Sequence, residues 1–138
     1  MKKKHYYILI SMFLILFIAG CADDESEQKE EEFQESAEKD ANIVFAEEFV
    51  MFLNEGRYED ATEYYDETMK DELPASELEE AWTSLEEQFG SFVSQEYQST
   101  EKLEGYDVVL INGSFEEQDV VFQITLDQNE KIAGFYVK

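Results

Sequence analysis

Val109 to Leu126 reads VLINGSFEEQDVVFQITL, two alternating apolar runs separated by a polar stretch, and the placing of its turn decides the fold. Asn112-Gly113 has the chemistry of a tight hairpin turn, but a turn there would set Val109 against Glu116 and mix the two faces. A turn at Glu116 to Asp119 instead pairs Phe115 with Val120, Gly113 with Phe122, Ile111 with Ile124 and Val109 with Leu126. Every pair on that face is then apolar, and the glycine sits opposite the largest ring. Because a one-residue slip moves a whole apolar set to the wrong face, this register is preferred. Gly113 becomes a strand glycine, at a bend or bulge that curves the sheet.

Outward from this hairpin, Phe92 to Leu103 alternates weakly, as a long, bent or edge strand would. A last hairpin turns near Gln128-Asn129 into Ile132 to Val137, with the loop length leaving open whether Phe135 or Tyr136 points inward. Before Gly90 the period is helical. Phe45, Phe49, Phe52 and Leu53 form one stripe stopped by Gly56, and Tyr58, Ala61, Tyr65 and Met69 form a second that ends before Leu73-Pro74. Ser76 with Glu79 has the form of a capping box opening a third helix, whose apolar face is Leu78, Ala81, Trp82, Leu85 and Phe89. The expected class is therefore α+β: three helices packed on a curved antiparallel sheet of about four strands, in one domain over residues 41–138.

The amino-terminal 40 residues have a different character. Lys2-Lys3-Lys4, an apolar run from Tyr6 to Ile18 and the small residues Ala19-Gly20 before Cys21 make up an export signal over residues 1–20. Its apolar core is shorter than the roughly 18 residues of a permanent membrane span. Ile18-Ala19-Gly20-Cys21 resembles a bacterial lipobox. The resemblance implies cleavage between Gly20 and Cys21, diacylglycerol on the Cys21 sulfur and a further acyl group on the new amino terminus. Two acyl chains, at about 0.8 kcal/mol per buried methylene, anchor stably where one is marginal. Residues 21–40 follow as the lipidated Cys and an acidic linker, ADDESEQKEEEFQESAEKD, in which Phe33 is the only large apolar side chain. Such a segment buries too little surface to offset the entropy of ordering, and as a flexible coil it spans roughly 25 Å. It is expected to hold the domain off the cell membrane, on the extracytoplasmic side.

Composition excludes several functions. The chain carries a formal net charge of −24, and loss of three signal lysines takes it to about −27. Nucleic acid is not an expected partner, since phosphates are neutralised by clustered Lys and Arg, and Arg57 is the single arginine. With Cys21 acylated and His5 removed, no thiol nucleophile, histidine triad or Cys/His zinc site is available. No cofactor is expected. Asp127-Gln-Asn129-Glu-Lys131 begins like a calcium loop but has Lys at the fifth position and Ile132 where the turn needs glycine, so no dedicated metal site is expected either.

Phe52 to Phe92, FLNEGRYEDATEYYDETMKDELPASELEEAWTSLEEQFGSF, resembles a family of uncharacterised small bacterial domains with an NTF2-like, cone-shaped α+β fold. The matching features are Phe49 and Leu53 before Gly56, Tyr58 and Ala61, Met69-Lys70 followed by Leu73-Pro74, Trp82 and Leu85, and Gly90 before a strand, with Lys131-Ile132 and Gly134 closing the pattern. Members often precede an α/β-hydrolase domain, and some stand alone as secreted or lipid-anchored proteins; this chain is expected to be of the second kind. The resemblance implies a fold and an accessory role, and it brings no catalytic residues.

NTF2-like cones commonly hold a pocket between sheet and helices. Its candidate lining is Phe45, Phe49, Tyr65, Trp82, Phe89, Phe115 and Phe122, which would equally serve as plain core. The favoured reading is a non-catalytic binding or interaction domain for a small molecule, peptide or protein, with the exposed sheet face a candidate homodimer surface. The alternative is a small enzyme that moves a proton or hydrolyses a bond with carboxylate and tyrosine groups. Tyr58, Tyr64, Tyr65, Asp66 and Asp107 are its candidates, and no spacing singles out a pair.

Overall fold

The computed structural model describes residues 41–138. The signal segment, the Gly20–Cys21 cleavage point and the acidic linker lie outside the described residues. Residues 41–54 are helical (α1), and positions 42, 46, 49, 50 and 53 of that helix are buried on one stripe. Gly56 adopts φ +73, and Arg57 N donates to Phe52 O at 2.8 Å while Gly56 N donates to Leu53 O at 3.2 Å. This pairing of amides with the last carbonyls is a Schellman closure, which requires a left-handed residue and so favours glycine. The Arg57 guanidinium lies 4.4 Å from the Phe52 ring centre and covers the helix end.

The expected second helix is two. Helix α2 spans Tyr58–Thr62 and α3 spans Glu67–Glu72, so the described residues hold four helical segments rather than three. Two local interactions outcompete continuation. Tyr64 O accepts from Ile132 N at 2.8 Å and Asp66 N donates to Ile132 O at 3.0 Å, which pulls Tyr65 into a parallel bridge with the last strand. The Asp66 carboxylate then accepts from Met69 N at 2.7 Å and caps α3. The apolar stripe survives the break, with Ala61, Tyr65 and Met69 all buried.

Helix α4 spans Ala75–Phe89, and its N-cap is Pro74. The expected capping box does not form, because the helix starts one residue before Ser76 and places that hydroxyl inside the first turn; Pro74 O accepts from Leu78 N instead. Gly90, at φ +82, ends the helix, and a Cβ there would lie 2.7 Å from the Glu116 Cβ. The same corner is tied by Ser91 N donating to Glu116 Oε2 at 2.9 Å and by Glu117 N donating to Phe89 O at 2.8 Å.

Strands β1 (Phe92–Leu103), β2 (Tyr106–Phe115), β3 (Asp119–Leu126) and β4 (Ile132–Val137) form one antiparallel sheet in that order. Edge strand β1 shifts register between Phe92 and Ser94 and again between Tyr97 and Ser99, so Val93 and Gln98 are extra residues against β2. Such bulges bend and twist a strand. The chain is thus α+β, with helices preceding a four-stranded meander.

The β2–β3 register corrects the sequence expectation by two residues. Gly113 pairs with Val120, Ile111 with Phe122, Val109 with Ile124 and Asp107 with Leu126. A slip of two keeps each side chain on its face, so the apolar set remains inward. The loop Glu116 to Gln118 accounts for the difference: Phe115 N donates to Gln118 O at 3.0 Å, closing the turn within β2's last residue. Gly113 now lies diagonal to Phe122, where an added Cβ would come within 2.2 Å of that ring. In β4, Leu126 pairs with Ile132 and Thr125 with Gly134, leaving Ala133 as a bulge. The extra residue lets Ile132 and Phe135 face the same side, and Phe135, not Tyr136, packs on Phe49 and Phe122.

Candidate functional site

The expected pocket between helices and sheet is occupied by the residues proposed to line it. Trp82, 2% exposed, stacks on Phe122 at 5.8 Å with ring planes 25° apart and also meets Phe92 at 5.4 Å and Phe115 at 5.6 Å. Phe89 reaches Phe115 edge-on at 6.3 Å. Phe49 lies 5.9 Å from Tyr65 and 5.2 Å from Phe135. Phe45 is half-buried and edge-on to Tyr64 at 4.7 Å. Offset and edge contacts of this kind let each ring's positive rim meet a neighbour's negative face. Trp82 also floors a shallow apolar groove of about 220 Å³ with Leu53, Leu78, Ala81, Leu85, Phe135 and Val137.

The acid–base candidates are not brought together. Asp66 is engaged as the cap of α3. Tyr65 is 1% exposed, its hydroxyl has no hydrogen-bond partner among the described residues, and burial pushes its phenol well above the ordinary tyrosine range. Desolvation also raises Tyr58, helped by Glu79 and Glu86 on α4, and raises Tyr64, helped by Glu48 on α1. All three phenols therefore favour the neutral form. Asn42 is the only buried polar or charged residue among those described, so no buried carboxylate faces a tyrosine there. Among the described residues no group of three or more Asp, Glu, His or Cys side chains is placed to hold a metal ion.

Asp107 alone of these candidates borders a larger polar cavity. This cleft, about 530 Å³, lies where the β1–β2 and β3–β4 hairpins end beside α1. Lys102, Gly105 and Asp107 come from the first hairpin, Asp127 to Glu130 from the second, and Asn42 from the helix. The first hairpin closes through Glu104 at φ +53 and Gly105 at φ +88, the paired left-handed conformations of a type I′ turn. A Cβ on Gly105 would sit 3.2 Å from Gln128 Nε2, so the glycine lets the two hairpin tips approach. Asp127 shapes the second tip: its Oδ1 accepts from Asn129 N at 2.7 Å and Lys131 N at 2.9 Å. The sequence that fails as a calcium loop is a carboxylate-capped turn.

Asn42 and Asp107 join the walls. Asn42 Nδ2 donates to Asp107 Oδ2 at 2.8 Å across 65 positions of sequence. The carboxylate fixes the amide's orientation, because the flipped amide would set two oxygens against each other. Asn42, 4% exposed, is left with a buried Oδ1 that has no partner among the described residues. Sequence reasoning reached Asp107 but not the cleft, whose walls come from three separated segments with no local motif in common.

No curated protein and no solved structure matches the chain. Residues 46–135, from the buried stripe of α1 to the inward ring of β4, match the model of a family described as protein of unknown function, DUF3887, and the chain belongs to that family.

Proposed function

We propose that the protein is a lipid-anchored extracytoplasmic lipoprotein, held at the membrane through Cys21, and that its NTF2-like domain binds a ligand rather than catalysing a reaction. The observation that carries the non-catalytic reading is the filled interior, where Trp82 stacks on Phe122 and no carboxylate is buried among the described residues. Acid–base catalysis needs a positioned acid or base within hydrogen-bond reach of the proton it moves, and the Tyr65 hydroxyl has no partner among the described residues. The cleft at the hairpin ends offers what a binding site needs: a concavity with convergent polar groups. The helices-then-meander order and the bulged β1 support the NTF2-like assignment.

Two experiments test the two halves. Metabolic labelling with an alkyne fatty acid should mark the wild-type chain and leave Cys21→Ser unlabelled and released from membranes. A labelled or membrane-retained Cys21→Ser would refute the anchor. A fragment screen by NMR on the full chain should move the amides of Gly105, Gln128 and Asn129. Hits that instead move the Trp82 indole and the Phe122 ring would mean that the cone opens, and the enzyme reading would return.

A further inference from the structure

Strand β4 ends the sheet, and its outer edge is only partly covered. Val121 and Lys138 exchange both backbone hydrogen bonds, at 2.9 and 3.0 Å. In the register that follows, Gln123 and Tyr136 are the next bonded pair, while Phe122–Val137 and Ile124–Phe135 are the unbonded ones. The backbone N–H and C=O groups of Phe135 and Val137 therefore point away from β3, along the free edge. Ile132 on the same edge is bonded to Tyr64 and Asp66, and the ladder stops there: Phe135 and Val137 have no backbone partner on that side among the described residues. The same two residues border the shallow apolar groove whose other walls are Leu53, Leu78, Ala81, Trp82 and Leu85.

We infer that this edge and groove together accept an extended, cationic peptide segment of another protein as a fifth strand, at a site separate from the hairpin-end cleft. An added strand supplies N–H and C=O groups to an open ladder and sets every second side chain on one face. Paired antiparallel to β4, its residues opposite Phe135 and Val137 direct their side chains to the groove face. The groove holds about 220 Å³, below the roughly 300–1,000 Å³ of a small-molecule pocket, so it suits aliphatic side chains rather than a whole ligand. Charge selects the occupant. Helix α4, which forms one wall, carries Glu77, Glu79, Glu80, Glu86 and Glu87 and no basic residue. A second copy would bring another chain of net charge −24, and the chain's own linker is acidic as well, so a cationic strand is favoured over both.

The test is an NMR titration of the full chain with an end-capped peptide of alternating lysine and valine, about six residues long as strands usually are. Its controls are the fully N-methylated counterpart, which keeps the charge but cannot donate to the edge, and a glutamate–valine counterpart. The lysine–valine peptide should shift the backbone amides of Ala81, Phe135 and Val137 and leave the Phe122 ring, Gly105 and Asn129 unmoved, which separates this result from an opened cone and from binding at the cleft. The N-methylated peptide should bind at least about tenfold more weakly, and the glutamate–valine peptide should not bind. Ala81→Lys, an exposed change in the groove wall, should weaken binding about tenfold, while Thr83→Lys, the same charge at an exposed position of α4 outside the groove, should change it less than about twofold. Equal weakening by both variants, equal binding of the N-methylated peptide, or shifts spread over the surface would reduce the effect to diffuse attraction and overturn the inference. Equal binding of the glutamate–valine peptide, or no shift at Phe135 and Val137, would overturn it too. Shifts of those amides on concentrating the chain alone would give the edge to a second copy, and a nuclear Overhauser contact between Phe33 and Trp82 would give the groove to the linker; either contradicts the proposal.

Discussion

Between helices and sheet, Trp82 contacts the rings of Phe92, Phe115 and Phe122, and Phe122 in turn contacts Phe135. Where the two hairpins end, Asn42 donates one hydrogen bond to Asp107 at the wall of an open polar cleft, and its Oδ1 is buried without a partner among the described residues. The rings of the first region pack on one another, so beyond the shallow groove at Trp82 a ligand could enter only by displacing them. The second is a concave space lined by polar side chains, which a ligand could enter without displacing rings. Large aromatic residues, the usual signal for a pocket, here mostly pack on one another and border only a shallow apolar groove at Trp82 and Phe135. The small polar residues that mark the cleft look like ordinary turn sequence.

Substitutions can break this contrast, beginning with the interior. Phe122→Ala should destabilise by about 3–5 kcal/mol in chemical denaturation, because a fully buried ring that joins the helix layer to three strands leaves a cavity. Gly113→Ala should cost about 1–3 kcal/mol through overpacking on that ring. Combined with Phe122→Leu it should cost less than the sum of the single changes, since the shorter side chain vacates the space the methyl needs. Additive costs would show that the glycine is required for backbone reasons instead.

Tyr65→Phe should act in the opposite direction and stabilise by about 1 kcal/mol, since it deletes a buried hydroxyl that has no partner. It should also flatten the alkaline limb of stability. Burial raises the Tyr65 pKa above the ordinary tyrosine value of 10.0, so below that pH the phenol is neutral in both states. Above it the unfolded chain loses the proton while the folded chain keeps it, so wild-type stability falls as pH rises past 10.0. Tyr58 and Tyr64 shift in the same direction and should leave a weaker slope in the variant. The smallest effect belongs to the hairpin end. Glu104→Asn should stabilise by about 0.5 kcal/mol, because Asn tolerates the left-handed conformation that Glu104 holds at φ +53.

The α+β order, the helix faces and the inward strand faces could be read from the sequence because periodicity reports burial. The details that differ were set by interactions between distant segments. Ile132 breaks the second helix by pairing beside Tyr65, although Asp66 ahead of Glu67 was a visible cap signal. Pro74 starts α4 a residue early, so Ser76 and Glu79 match a capping box in sequence only. The β2–β3 register slips by two, a shift that leaves the alternation unchanged and therefore invisible to it. The type I′ turn at Glu104-Gly105 has no clear sequence signal, because glutamate is an unusual first residue there. The cleft depends on a hydrogen bond between Asn42 and Asp107, 65 positions apart, which no local pattern announces.

The central claim is that the aromatic interior is closed, and Trp82, the single tryptophan, reports on it directly. Acrylamide quenching of its fluorescence in the native full chain should give a blue-shifted emission that resists quenching until the protein is unfolded. A red-shifted emission quenched freely under native conditions would place Trp82 in a solvent-filled cone and contradict the account.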